Sequence, residues 1–188
     1  MKKNKWIPAI FLIASFTLFL GNCSSSEEKT EGDSATKEVS AKCVSGDCKN
    51  GSGVLEYSNG DKYEGDFKEG KFQGQGSYIF ANGDTYKGNF AEDKFNGKGT
   101  YTFANGDVYE GNFKDDLFDG KGKLTTKAAT YEGDFKAGRM EGKGILKQPD
   151  GDSFEGDFLA DVPYRGIVKS GDGKVRKEYD ATKMKVGN

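Results

Sequence analysis

Few side chains in this chain could do chemistry, and their spacing limits what that chemistry could be. The 188 residues include no histidine, so a histidine base and a histidine metal ligand are both absent. Asp150, Asp152, Glu155 and Asp157 crowd together as calcium ligands do, but they lack the spacing of a calcium loop and fall on a turn signal. Glu64, Glu110, Glu132 and Glu155 could suggest a pair of hydrolytic carboxylates. They recur with the repeat, however, which fits the solvated face of a repeated strand. Gly97-Lys98-Gly99 has no strand–loop–helix context for cradling a phosphate. The sequence therefore predicts a protein that is not an enzyme and carries no metal or cofactor. Cys43 and Cys48, in CVSGDCKNG, are too few for a zinc site without further thiol or imidazole ligands. In an exported protein they are expected to form a disulfide, with Gly46-Asp47 supplying the tight turn between them. Such a bridge would cover the exposed edge of the first hairpin.

The elements that position these residues are repeats. The chain aligns with itself at a period of 23 residues, with one step of 22. One column of this alignment is Tyr63, Tyr86, Tyr109, Tyr131 and Phe154, each opening a ring-x-Gly-x-Phe pentad. Within YEGDF, Tyr63, Gly65 and Phe67 fall on one face while Glu64 and Asp66 fall on the other, the period of a half-buried strand. The preceding strand places Tyr78 with Phe80, and in the next repeat Tyr101 with Phe103, on a common face. Asn59-Gly60, Asn82-Gly83, Asn105-Gly106 and Asp150-Gly151 separate the two strands, so each repeat is a β-hairpin. Stacked units of this kind build a solenoid-like array.

Parity fixes the loops. An even loop at Asn82-Gly83 would set Tyr78 and Tyr86 on opposite faces of the hairpin. A three-residue loop, Ala81-Asn82-Gly83, keeps them together as a type I turn followed by a left-handed glycine. Repeat four is one residue shorter, and Leu124 faces Tyr131 only across Lys127-Ala128, a poor turn pair that predicts the weakest hairpin. The same registers set glycine against glycine, from Gly53 with Gly65 to Gly144 with Gly156. These glycines form a trough on the ring-bearing face, where a strand can bend and a ring can lie over bare backbone. Phe72, Phe95, Phe118 and Met140, carried by the connecting loops, are its expected occupants. Gly70, Asp93, Asp116, Gly138 and Asp161 in those loops tolerate positive φ. The expected fold is all-β: an elongated array of stacked antiparallel hairpins over residues 43–166. Residues 167–188 form a C-terminal cap and tail, with Lys169, Lys174, Arg176 and Lys177 discouraging sheet-to-sheet pairing.

The N-terminus is of another kind. Lys2, Lys3 and Lys5 precede a short apolar run from Trp6 to Leu20, which reads as a secretory signal over residues 1–22. Leu20-Gly21-Asn22-Cys23 resembles the lipobox of bacterial lipoproteins, in which the cysteine is lipidated and becomes the mature N-terminus. The resemblance implies lipidation at Cys23, membrane attachment through that lipid and a place in the bacterial cell envelope, at the outer membrane. Residues 23–42, rich in Ser, Glu and Lys and without a ring, read as a flexible tether reaching on the order of 25 Å. The formal charge of −2 becomes more negative when the signal and its three lysines are removed, which argues against nucleic acid as a partner.

The pattern YEGDF…G.G.Y.F.NGD, recurring in register over residues 51–166, resembles the MORN (membrane occupation and recognition nexus) repeat. That resemblance implies a single elongated antiparallel sheet, curved so that rings line its groove, with Tyr63, Tyr78, Tyr86, Tyr101, Tyr109, Tyr131 and Phe154 as the binding candidates. It also implies interaction and dimerisation through the repeats, so a protein partner, homodimerisation included, is expected. The sequence thus predicts a lipid-anchored envelope scaffold that binds a protein partner through the ring groove or a sheet edge. The alternative is a glycan or lipid ligand, or weak enzyme activity, in the same groove.

Overall fold

The computed structural model describes residues 38–183. Its thirteen strands are β1 (Ala41–Gly46), β2 (Ser52–Tyr57), β3 (Lys62–Lys68), β4 (Lys71–Ile79), β5 (Thr85–Ala91), β6 (Lys94–Thr102) and β7 (Val108–Lys114), then β8 (Leu117–Thr125), β9 (Thr130–Lys136), β10 (Arg139–Lys147), β11 (Ser153–Leu159), β12 (Val162–Lys169) and β13 (Val175–Asp180). They form a single antiparallel sheet in strict chain order, with β1 and β13 as its two open edges. At about 4.8 Å per strand, the twelve steps span roughly 58 Å. β1 begins at Ala41, inside the stretch read as tether, and at the other end the sheet runs through β12 and β13 to Asp180, where the sequence places a decayed half-repeat as C-terminal cap. The signal segment and Cys23 lie outside the described residues.

The intra-repeat turns have the expected length. Tyr78 faces Tyr86, Phe80 N–H donates to the Asp84 carbonyl at 3.0 Å, and Gly83 has φ +92°. In repeat four Leu124 faces Tyr131 across the two-residue loop. The Thr126 hydroxyl oxygen accepts from Ala128 N and Ala129 N, at 3.2 and 3.1 Å, bracing a turn whose own residues favour none.

The connections between repeats differ from expectation. Phe72, Phe95, Phe118 and Met140 sit inside strands, and each connection is a two-residue turn such as Glu69-Gly70. Both of its residues have positive φ, 53° and 79°, and the non-glycine positions Glu92, Asp115, Ala137 and Ala160 share the geometry. Paired left-handed residues define the type I′ turn, whose twist matches the flanking strands. Beyond each turn a bulge restores the register. Phe67 faces Phe72, yet two residues on Gly65 faces Gly76, so Gly74 and Gln75 are inserted. Gly74 has φ +65°, which glycine adopts at little cost. An insertion of two leaves the faces unchanged, and Phe72 stays on the ring side.

The core is the ring face alone. Facing glycines form one continuous rank from Gly53 through Gly99 and Gly111 to Gly166, crossing eleven strands. Tyrosines, rather than the expected phenylalanines, fill the trough. A Cβ built on Gly99 would come 2.5 Å from the Tyr86 ring, and one on Gly122 2.6 Å from Tyr109. The loop-proximal phenylalanine stacks on the far side of that tyrosine, with centroids 3.7 Å apart for Tyr63–Phe72, 3.8 Å for Tyr86–Phe95 and 3.7 Å for Tyr109–Phe118. Further phenylalanines meet the tyrosine edge-on, Phe90 and Phe113 against Tyr86 among them. Edge-to-face and offset contacts suit the ring quadrupole, and together they give a single sheet a core without a second layer.

Candidate interaction surface

The seven rings expected to line an open groove are the core. Tyr63, Tyr86 and Tyr109 have no exposed surface, Tyr131 and Phe154 are 1% exposed, and Tyr78 and Tyr101 are 8% exposed. Each trough tyrosine spends its hydroxyl locally: Tyr63, Tyr86, Tyr109 and Tyr131 donate to the backbone carbonyl three residues on, at 2.8–2.9 Å. Burial pushes the ionisation of these phenols far up. The rings are therefore not available to a glycan, a lipid or a partner, because the trough they were expected to line is filled by the rings themselves.

Tyr78 and Tyr101 serve a different purpose, one missed in the sequence. Tyr101 hydroxyl donates to Asp84 Oδ2 at 2.7 Å, while Asp84 Oδ1 accepts Ala104 N at 2.8 Å. Asp61 treats Tyr78 and Ala81 the same way, at 2.9 and 2.8 Å. Each of these aspartates, just after an Asn-Gly turn, thus ties its own hairpin to the next. Asn82 holds Asp84 in place by accepting from its N–H and donating to its carboxylate, at 2.9 and 3.1 Å. Burial raises the Asp84 carboxyl, but the hydrogen bonds from Tyr101, Ala104 and Asn82 outweigh it and hold the group below the ordinary range. A signal existed in the sequence, since an aspartate follows Gly60, Gly83 and Gly106 alike.

With the rings buried, the broad surface left is the opposite face of the sheet. There the glycine rank forms the floor of an open groove of about 690 Å³ in the C-terminal half, lined at its base by Gly122, Gly133, Gly144, Gly156 and Gly166. Register places Glu110, Lys123, Glu132, Ile145, Glu155 and Ile167 side by side along one wall. The other wall carries cross-strand ion pairs, Lys121–Asp134 at 2.7 Å and Lys143–Asp157 at 3.0 Å. The recurring glutamates thus stand in a row on a solvated face. The acidic cluster at the last Asn-Gly-like turn is also a surface feature: Asp150 accepts the Asp152 N–H at 3.1 Å, and Asp152 pairs with Arg176 at 2.6 Å. No group of three or more Cys, Asp or Glu that could hold a metal occurs among the described residues.

The MORN repeat profile matches residues 45–62, 63–85, 86–108, 109–127 and 131–153. The chain belongs to the MORN-repeat family. No curated protein matches it. Among solved structures it is similar to the SAS-4 (dCPAP) TCP domain of Drosophila melanogaster, determined in complex with a proline-rich motif of Ana2 (dSTIL). Identity is 14%, the TM-score is 0.42, and the match covers 83% of this chain and 99% of that one. The matched MORN segments end at Ser153, although the sheet continues through β11 and β12 into β13.

Proposed function

We propose that this MORN protein is a lipid-anchored, non-catalytic scaffold of the bacterial envelope, held by a lipid on Cys23. It binds a protein partner with the outer face and open edges of its sheet, not with its rings. The observation that supports this reading is the division of labour between the faces. The ring face is consumed by its own packing, while the outer face stays exposed across the sheet and carries an open groove over bare glycine backbone. Specific binding on such a surface uses exposed side chains such as Ile145, at 37% exposure, flanked by charge. The test is capture from envelope extracts with the intact protein beside Ile145→Asp and Glu132→Lys. Loss of one and the same partner in both variants, with thermal stability unchanged, is the expected result. Retention of every partner by both variants would remove the outer face from the proposal. The anchor is tested separately: Cys23→Ala should move the protein from the detergent phase to the aqueous phase.

A further inference from the structure

Every trough glycine needs a cover, and the first one is covered by something other than a ring. Counting back one period of 23 from Tyr63, Phe67 and Phe72 reaches Ser40, Val44 and Lys49, so the ring set is missing here. Gly53, the first of the rank, is nevertheless buried. A Cβ on it would come 3.0 Å from Cys48 Sγ, which also lies 3.4 Å from the Val54 carbonyl oxygen and packs against the ring core. Cys48 is bonded to Cys43, with Cα atoms 6.0 Å apart, and Cys43 belongs to the edge strand β1. All six β1 residues are exposed, the strand has a neighbour on one side only, and a bulge between Cys43 and Ser45 interrupts its ladder. Besides the main chain, the disulfide is therefore the covalent link that ties this strand to the end of the ring stack.

The loop that follows is held independently. Lys49 O accepts from Gly70 N at 2.9 Å and Gly51 O accepts from Phe67 N at 2.7 Å. The Asn50 carboxamide accepts from Glu69 N at 3.0 Å. In later repeats Phe72 O receives Asp93 N in the position where Lys49 O receives Gly70 N, so this loop stands in for a preceding repeat. Its attachment does not depend on the sulfur bridge.

We propose that the Cys43–Cys48 disulfide is a reducible clasp, and that its reduction releases β1 and exposes the edge of β2 while the rest of the sheet stays closed. The reductant is a dithiol. Its first thiolate attacks Cys43 Sγ, the exposed sulfur, and the Cys43–Cys48 bond breaks as a mixed disulfide forms. Cys48 leaves as a thiolate and takes a proton. The second thiolate of the reductant then attacks the reductant sulfur in the mixed disulfide and frees Cys43, which is also protonated. Two electrons have passed to the protein, and the dithiol has become a disulfide. Without the bond, β1 keeps only a one-sided ladder and the Ser40–Ser58 contacts, and edge strands of that kind lie at the low-stability end of a fold.

Amide hydrogen exchange of the full-length protein, with and without dithiothreitol, tests this. Reduction should speed exchange of the β1 amides by about tenfold or more while leaving Phe67, Gly70 and the amides of β6 unchanged. The Cys43→Ser/Cys48→Ser double variant should match the reduced protein. If that variant fails to fold, reduction of the native protein still decides the question. Unchanged β1 exchange would overturn the proposal, and so would loss of protection at Phe67 and Gly70, because release would then not be confined to the clasp.

Discussion

Asp84 and Ala129 occupy the same position of the repeat, two residues before the trough tyrosine, and so do Tyr101 and Leu146 two residues after a trough glycine. In the N-terminal part of the sheet the pair is a carboxylate and a phenol joined at 2.7 Å. In repeat four both members are apolar and both are buried, Ala129 at 5% and Leu146 at 2% exposure. Phe154 makes a related exchange, keeping the ring of Tyr131 and losing the hydroxyl. Buried polar pairs are costly when half satisfied and tolerable when complete or absent. The two regions show the two tolerable solutions. The trough, by contrast, is filled in both regions, so the ring-over-glycine contact is what the fold requires and the polar staple is an option.

The largest expected effect tests that requirement. Gly99→Val would drive side-chain atoms into the buried Tyr86 ring and should cost about 3 kcal/mol or more in urea unfolding. Thr100→Val, on the outer face, should stay within about 0.5 kcal/mol. Equal costs would mean that the trough is not the core.

Next comes the staple. Asp84→Ala should cost about 2 kcal/mol, because it strands the Tyr101 hydroxyl and the Ala104 N–H beside a buried ring stack. Asp107→Ala should cost about 0.5 kcal/mol or less, since the position facing it holds Leu124 and its side chain bonds only to Asn105. Similar losses at the two sites would erase the distinction between the regions.

Acid should separate them as well, and the sign follows from the direction of the shift. The Asp84 carboxyl is lowered in the folded protein, so its contribution is fully present above the unfolded value of about 3.9 and is lost as pH falls through the folded value. Asp116, in the connection after β7, is raised by burial despite the Phe95 N–H that it accepts. Its ionisation opposes folding, so stability attached to it declines as pH rises from about 3.9 through its folded value. As pH falls below about 3.9, the stability gap between Asp84→Ala and the wild type should narrow. A gap that stays constant as the carboxyl is protonated would place the staple's contribution elsewhere.

Strand pairing and turn length were legible in the sequence because the side-chain period is two and a one-residue change in a loop reverses a face. The glycine pairs followed from the same parity. What covered the glycines was not legible, since alternation tells which face a ring occupies and not whether neighbouring rings close over it. Tyr86 and Phe95 both project from the ring face; only the bulge at Gly97, invisible to a period-two reading, puts one ring on the glycines and the other on top. The left-handed turn residues Ala137 and Ala160 were hidden for a related reason. Alanine gives no sign of positive φ, and the type I′ geometry is imposed by the two strands it joins.

The smallest effect bears most directly on whether the two regions are interchangeable. Leu124 is buried at 5% exposure and faces Tyr109 and Tyr131, in the column where Tyr78 and Tyr101 reach an aspartate. Asp107 is already present at the turn, held by Asn105 through contacts at 2.9 Å that match those of Asn82 with Asp84. Leu124→Tyr should therefore complete a third staple and stabilise the protein by about 1 kcal/mol, the net worth of a hydrogen bond to a charged group less the strain of a larger ring. A double-mutant cycle with Asp107→Ala isolates the new contact from that strain, since the ring remains when the carboxylate is removed. The coupling between positions 107 and 124 should be favourable at neutral pH. No coupling at neutral pH would show that the hairpin after β7 has diverged in backbone as well as in side chain, and that the apolar solution downstream is no longer a simple exchange of partners.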